Sequence, residues 1–307
     1  VNILTISISI FYLDGSVEVK VHASGYIFTD YLALEDMRKD LATQGETQIT
    51  EYGYRIHDVV VSSMHTHELL FKADFDILGT NNTLYRVAVE PITRKYPFED
   101  RERNTMHMVH TPIRTEAGLD WVPNAQGIYV VLNNASENTW GEKRGYKIVP
   151  GTGMGSPPHL AMINSTALGK AAGWAYRNLW VLRQHDYEPK GTSEWNAWET
   201  ETPLIDFDKM IDFENVVQED LVVYFNLGVH HLSNSQDIPN TLMHWAGTSV
   251  MFVPHNYFDR DPSRDSAQGV KLSMEKGHDG NIATYYGPKC DRDVTIKKVS
   301  TYRNLYN

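Results

Sequence analysis

Thr5-Ile6-Ser7-Ile8-Ser9-Ile10, then Asp14-Gly15, then Val17-Glu18-Val19-Lys20-Val21, is the stretch that decides the fold class. Apolar and polar residues alternate on both sides of an Asp-Gly pair, which is the pattern of two strands joined by a tight turn. Working outward, further β-branched or apolar runs at Val59–Met64, Leu69–Leu78, Leu84–Val89, Gly127–Leu132, Tyr146–Val149, Leu179–Arg183, Asp220–Leu227 and Ser249–Val253 read as strands separated by polar turns. Helical periodicity is scarce, and an inserted helix or ordered loop is expected only around Leu32–Met37. The chain is therefore expected to be all-β, a large antiparallel sandwich. From Ser266 the sequence turns polar and irregular, as in Lys276-Gly277-His278-Asp279-Gly280-Asn281, and reads as a surface tail over 266–307.

Composition narrows the function classes. With 307 residues, 41% hydrophobic and 22% charged, the chain is long enough for an ample core. A net charge of −11 excludes nucleic acid as an expected partner, because phosphate contacts need a basic surface. No run of 18 apolar residues is present, so no membrane span is expected. The opening residues alternate and lack a basic leader, so they read as strand and not as signal peptide. A start on Val1, without Met and already in a strand, reads as a fragment or truncated product. The single cysteine, Cys290, allows no internal disulfide; it reads as an inert thiol, the alternative being a bridge to a second copy. Sequons at Asn81, Asn134 and Asn164 permit an extracellular location without establishing it.

Among thirteen histidines, His65 and His67 stand out in Ser62-Ser63-Met64-His65-Thr66-His67. Residues i and i+2 of a strand share a face, so two imidazoles converge there. His107 and His110 have helical spacing in a segment that does not read as helix. His230 and His231 follow the apolar run Leu221–Phe225, and as neighbours on a strand only one of them can face the same metal as the first pair. Three imidazoles suit copper or zinc.

Taken together, the His-x-His pair, Asp74-Phe75-Asp76 just after it, and Asn226-Leu227-Gly228-Val229-His230-His231, continuing to Asp237-Ile238-Pro239, resemble the catalytic domain of the copper-containing amine oxidases. Asn226 stands where the family usually has threonine, and Gln236 where it has glutamate; neither position is a ligand. Further matching blocks are Phe11-Tyr12-Leu13-Asp14-Gly15, Glu18-Val19-Lys20, Ala23-Ser24-Gly25-Tyr26, Trp140-Gly141, Arg144-Gly145-Tyr146-Lys147-Ile148, Leu179-Trp180-Val181-Leu182-Arg183 and Phe258-Asp259-Arg260-Asp261-Pro262, in family order. The resemblance implies a β-supersandwich with long loops and hairpin arms over residues 1–265, incomplete at its N-terminal end, and a homodimer. It assigns copper to His65, His67 and His231, the third lying three residues after Gly228.

The resemblance also implies a calcium- or manganese-type site made by Asp74, the Phe75 carbonyl, Asp76, Asp220 and the Leu221 carbonyl. Without it, the carboxylates read as solvent-facing groups on an edge strand. A second, looser cation site maps to Glu116, Glu188, Asp212 and Glu214 with the Met210 carbonyl. Hard carboxylate and carbonyl oxygens suit such ions. The implied reaction is oxidative deamination of a primary amine by O2, giving aldehyde, ammonia and hydrogen peroxide, on a topaquinone made from a tyrosine. Here the chain departs from the family: the residue after Asn2, where that tyrosine belongs, is Ile3, and the catalytic aspartate belongs upstream of Val1. A truncated or wrongly assembled start is the favoured explanation, and loss of a modified tyrosine from the written sequence the alternative. Three functions remain open: an amine oxidase domain, a copper-binding sandwich without catalysis, and an unrelated three-histidine oxygenase.

Overall fold

The computed structural model describes residues 3–31, 53–57, 59–151, 168–242, 246–265, 270–274 and 281–285. The strands are β1 (Ile3–Phe11), β2 (Val17–Gly25), β3 (Thr29–Tyr31), β4 (Arg55–His57), β5 (Val60–Ser62), β6 (His65–His67), β7 (Leu70–Asp74), β8 (Asn82–Lys95), β9 (Glu102–Pro112) and β10 (Ala117–Leu119). They continue with β11 (Gly127–Glu137), β12 (Lys143–Pro150), β13 (Leu179–Arg183), β14 (Val217–Glu219), β15 (Leu221–Asn226), β16 (Val229–His231), β17 (Gly247–His255), β18 (Val270–Met274) and β19 (Asn281–Tyr285). Short 3-10 helices, such as Gly169–Tyr176 and Phe207–Met210, fill the connections. No helix among the described residues is long and apolar enough to cross a membrane.

An eight-stranded sheet runs β1-β2-β17-β12-β11-β8-β14, with β9 also on β8, and a four-stranded sheet runs β10-β13-β15-β7. The strand pairs are antiparallel, giving the expected all-β sandwich. Its first hairpin turns as the Asp-Gly pair demands. Gly15 has φ +86°, the left-handed region that glycine enters without cost, and the Ser16 amide donates to the Asp14 carboxylate at 2.9 Å.

The core lies between the two sheets. Val21, Leu84, Tyr129, Val131, Ile148 and Val250 of the larger sheet pack with Leu179, Val181, Leu221, Val223 and Phe225 of the smaller. Strand β15 is buried at every position, because Val222 and Tyr224 fill a second cluster with Trp174, Leu182 and Phe207 on its other face. That double burial explains why its sequence is a continuous apolar run and not an alternation.

Several expected boundaries change. β7 ends at Asp74; Leu78 lies beyond it with φ +55°, so the strand does not reach Leu78. β8 continues past Val89 to Lys95, and pairs along eleven positions with β9, which the sequence did not suggest. β9 is polar and exposed almost throughout, so it lacks the half-buried alternation by which strands are recognised. The distal part of this hairpin stands clear of the core as an arm, with Met106 and Met108 exposed. His107 and His110 fall on opposite faces of β9. The chain divides into two compact units, Val1–Asp259 and Arg260–Asn307. In the second, β18 and β19 form a paired ladder where an irregular tail was expected. The expected helix at Leu32–Met37, and Val1, Asn2, Asn164 and Cys290, lie outside the described residues.

Truncating Leu84, fully buried between the sheets, leaves a cavity that the rigid ladders cannot close. Leu84→Ala is expected to lose about 2–5 kcal/mol of unfolding free energy, and Val89→Ala on the exposed arm less than about 0.5 kcal/mol, as measured by urea denaturation.

Candidate metal centre

A two-stranded ladder builds the centre. β6 pairs with β16 so that His65 lies opposite His231, Thr66 opposite His230, and His67 opposite Val229. The pleat then puts His65, His67 and His231 on one face and turns His230 to the other, where its Nδ1 meets the Thr66 hydroxyl at 2.9 Å. The three rings cluster with centroids 4.8–5.8 Å apart, and one ring nitrogen from each lies within 4.8 Å of the others. Phe28 stands edge-on to His65 at 4.8 Å and closes one side.

Surrounding groups set the tautomers. His65 Nδ1 lies 2.9 Å from the Ser63 carbonyl, which accepts only from an N–H, so its Nε2 carries the lone pair. His231 Nε2 lies 3.5 Å from the Asp237 carboxylate, an ion-pair contact longer than a hydrogen bond that favours the proton on Nε2 and the lone pair on Nδ1. These two lone-pair nitrogens face each other at 3.2 Å. Two lone pairs so placed repel unless a cation lies between them, and 3.2 Å is compatible with two metal–nitrogen bonds of about 2.0–2.1 Å. The donor set therefore fits a bound metal ion. His231 is 6% exposed, and burial, then the neighbouring His65, pushes its pKa down against the opposing pull of Asp237. It is thus held neutral, the form that binds metal.

The support is equally specific. Asp237 is buried and accepts from the backbone amides of Asn234 at 3.0 Å and Leu242 at 3.2 Å, closing an Asn234–Asp237 capping box. It is fixed before it meets His231 and acts as an outer partner of that ring. Sequence reading quoted Asp237 within its motif but gave it no role; the available signal was the Asn-x-x-Asp box just after the histidine. A Cβ at Gly228 would come 2.4 Å from the Glu68 Oε2 and would push that carboxylate aside. The Ser62 hydroxyl donates to the Ser233 carbonyl at 2.6 Å, tying the entry to β6 to the exit from β16.

The expected acidic sites are also assembled. Carboxylate oxygens of Asp74, Asp76 and Asp220 lie within 4.8 Å of one another. Burial, then Asp76, raises the pKa of Asp74; burial, then Asp74 and Asp76, raises that of Asp220, with Lys72 opposing in both. The Phe75 carbonyl accepts from the Asn82 amide at 3.1 Å, and the Leu221 carbonyl from the Phe75 amide at 3.4 Å. Each carbonyl retains a second lone pair.

At the second cluster, Glu116, Asp212 and Glu214 converge within 4.8 Å, whereas Glu188 falls outside that group. Buried Glu116 already accepts from the backbone amides of Arg183, Asp212 and Phe213 at 2.9–3.1 Å. Glu214 lies 2.8 Å from His185. Met210 is buried at the end of its 3-10 helix. This arrangement braces the loops between β10, β13 and β14 whether or not a cation joins it.

Fold and centre together define an antiparallel sandwich that carries a three-histidine candidate metal site. Residues 6–273 match the copper amine oxidase enzyme domain, and the chain belongs to that family. It is 38% identical over 268 residues to the copper amine oxidase vicK1 of Bipolaris victoriae, covering 86% of this chain and 35% of that protein. It is 27% identical over 263 residues to the liver isozyme of primary amine oxidase from Bos taurus, covering 85% of this chain and 32% of the relative. Among solved structures, the amine oxidase of Aspergillus nidulans superposes with a TM-score of 0.82 at 37% identity, over 95% of this chain and 37% of that one. The Pichia pastoris lysyl oxidase gives 0.84 at 32% identity, over 95% and 38%. The chain spans about a third of the length of these relatives.

Replacing His65, His67 or His231 by alanine is expected to abolish stoichiometric copper uptake, measured by titration against a chromophoric chelator. Asp237→Asn should weaken it roughly 10–100-fold, while His230→Ala, on the opposite face, leaves it unchanged.

Proposed function

We propose that this chain is the copper-bearing domain of an enzyme that oxidises primary amines with O2 to aldehyde, ammonia and hydrogen peroxide. What carries the reading is the pair of opposed lone-pair nitrogens on His65 and His231, with His67 beside them, in a chain of the copper amine oxidase family. In this reading His65, His67 and His231 hold the ion. When bound, copper supplies the one-electron chemistry with oxygen that ordinary side chains lack. The protein's own part is to keep His231 neutral, orient the His65 and His231 rings through the Ser63 carbonyl and Asp237, and shield one flank with Phe28.

A second reading is favoured by Ile3: that the chain as it stands binds copper without turnover. Ile3 pairs with Gly25, at the end of β2 that leads toward Phe28 and hence toward the His65 ring. Isoleucine cannot become a topaquinone. Copper-loaded chain is expected to take up one ion, give no coloured adduct with phenylhydrazine, and release no peroxide from a panel of primary amines. An adduct or peroxide would sink the second reading and move the quinone to another tyrosine; failure to take up copper would sink both.

The carboxylates of Asp74, Asp76 and Asp220 are proposed to hold calcium or manganese, since three acids this close repel one another until a cation joins them. Calcium at about a hundredfold excess over its dissociation constant is expected to stabilise the chain by roughly 2.7 kcal/mol in thermal unfolding. Asp220→Asn should remove most of that gain. The β8–β9 arm, with its exposed methionines, is the proposed embrace of a homodimer. An extracellular location is proposed from the sequons, of which the one at Asn81 is exposed. A mobility shift on glycosidase treatment of the secreted protein would test it.

A further inference from the structure

We propose that Lys72 is a built-in competitor for the cation of the Asp74–Asp76–Asp220 cluster. It is a tethered positive charge that steadies these carboxylates when no ion is bound and opposes the ion that joins them. The inference rests on the cation reading of that cluster and names the residue that sets its affinity.

Register places the lysine. Lys72 and Asp74 are two residues apart on β7, so their side chains leave the same face, roughly 7 Å apart along the strand. Their partners across the ladder are Tyr224 and Val222 of β15, and Asp220 stands just before that strand. Val222 and Tyr224 belong to the Trp174–Phe207 cluster, so this is the sheet face away from the main core. Lys72 and Asp74 thus share one face of one strand pair, with Asp220 at its end.

The lysine is also held there. Its Nζ donates to the Glu188 carbonyl at 3.1 Å and lies 5.8 Å from the centre of the buried Tyr224 ring. The carbonyl and the ring are neutral, so they fix the ammonium without neutralising it. The segment that carries Glu188 is tied to the same cluster, because the Gln184 amide donates to the Asp220 carbonyl at 2.8 Å. A turn then closes it, with the Glu188 amide donating to the His185 carbonyl at 3.0 Å.

The charges follow from this placement. Burial, then neighbouring carboxylates, push the Asp74 and Asp220 carboxyls up, and the positive charge that opposes the rise in both is Lys72. The same ammonium opposes the rise at Glu188. One oxygen of Asp220, Oδ1, is buried without a hydrogen-bond partner, so the lysine compensates it only through space. A divalent ion at this cluster turns that arrangement around. The attraction between Lys72 and the ion-free carboxylates is joined by repulsion between Lys72 and the ion. Lys72 therefore stabilises the ion-free state and destabilises the ion-bound one, and both effects weaken cation binding.

The test titrates the full 307-residue chain, dialysed against a calcium chelator, with calcium in a calorimeter. Asp220→Asn identifies the heat that belongs to this cluster. Lys72→Met keeps the aliphatic stem and removes the charge, Lys72→Gln is a second neutral variant, and Lys72→Arg keeps the charge. The neutral variants are expected to bind calcium roughly three- to tenfold more tightly than the parent, and Lys72→Arg within about twofold of it, with the gain shrinking at high salt. The gain should be larger for terbium(III), because the repulsion scales with the charge of the ion. Without calcium, Lys72→Met should melt below the parent, and calcium should raise its melting temperature by more. A lysine that only pins the 184–188 segment would, once removed, weaken calcium binding or leave it alone, and that result would overturn the proposal. So would an equal gain in Lys72→Arg. A parent chain with no calcium heat sensitive to Asp220→Asn would overturn the cation reading of the cluster as well, whereas an unchanged affinity in the neutral variants overturns only the role of Lys72.

Discussion

The register between β6 and β16 is the constraint on which the rest depends. It sets His65 against His231 and carries His67 to the same face. A slip of one residue would turn His231 to the other face and present His230 in its place, because every side chain on a slipped strand changes face. Neither strand is long enough to hold that register by itself; each has three residues. The Ser62–Ser233 hydrogen bond, the Leu227 amide on the Leu69 carbonyl, and the adjoining β7–β15 pairing hold it from outside.

That dependence explains where the sandwich spends its apolar residues. β15 delivers the chain to Gly228 and β16, and is buried on both faces between the main core and the Trp174–Phe207 cluster. β7 lies beside it and receives the chain from β6. The most rigid part of the smaller sheet thus sits directly behind the histidines, which is where a metal centre needs its ligands fixed in advance of binding. The Asp74–Asp76–Asp220 cluster grows from the other ends of the same two strands. The β7–β15 pair therefore stands between the three histidines and the three carboxylates.

Much of this was legible in the chain. Alternation and the Asp-Gly pair gave the strands of the first hairpin, continuous apolar character gave β15, and two-residue spacing put His65 and His67 on one face, because these are local consequences of a pleated backbone. The motif around Gly228 named His231 by resemblance, and the glycine has a local cause in the Glu68 carboxylate packed over it. β9 was not legible, because an exposed arm buries nothing and leaves no periodicity. The β18–β19 ladder was not anticipated either.

The sequence by itself determined the fold class, the family, the two-histidine pair and the isoleucine at position 3, all of which rest on spacing along one strand or on residue identity. Only the tertiary structure decided that Asp237 stands behind His231, that Glu116 is already held by three backbone amides, and that the apolar side of β1 faces away from the core. Those facts depend on register between segments far apart in the chain. Register is set by the packing of the whole sandwich and not by the residues that it brings together.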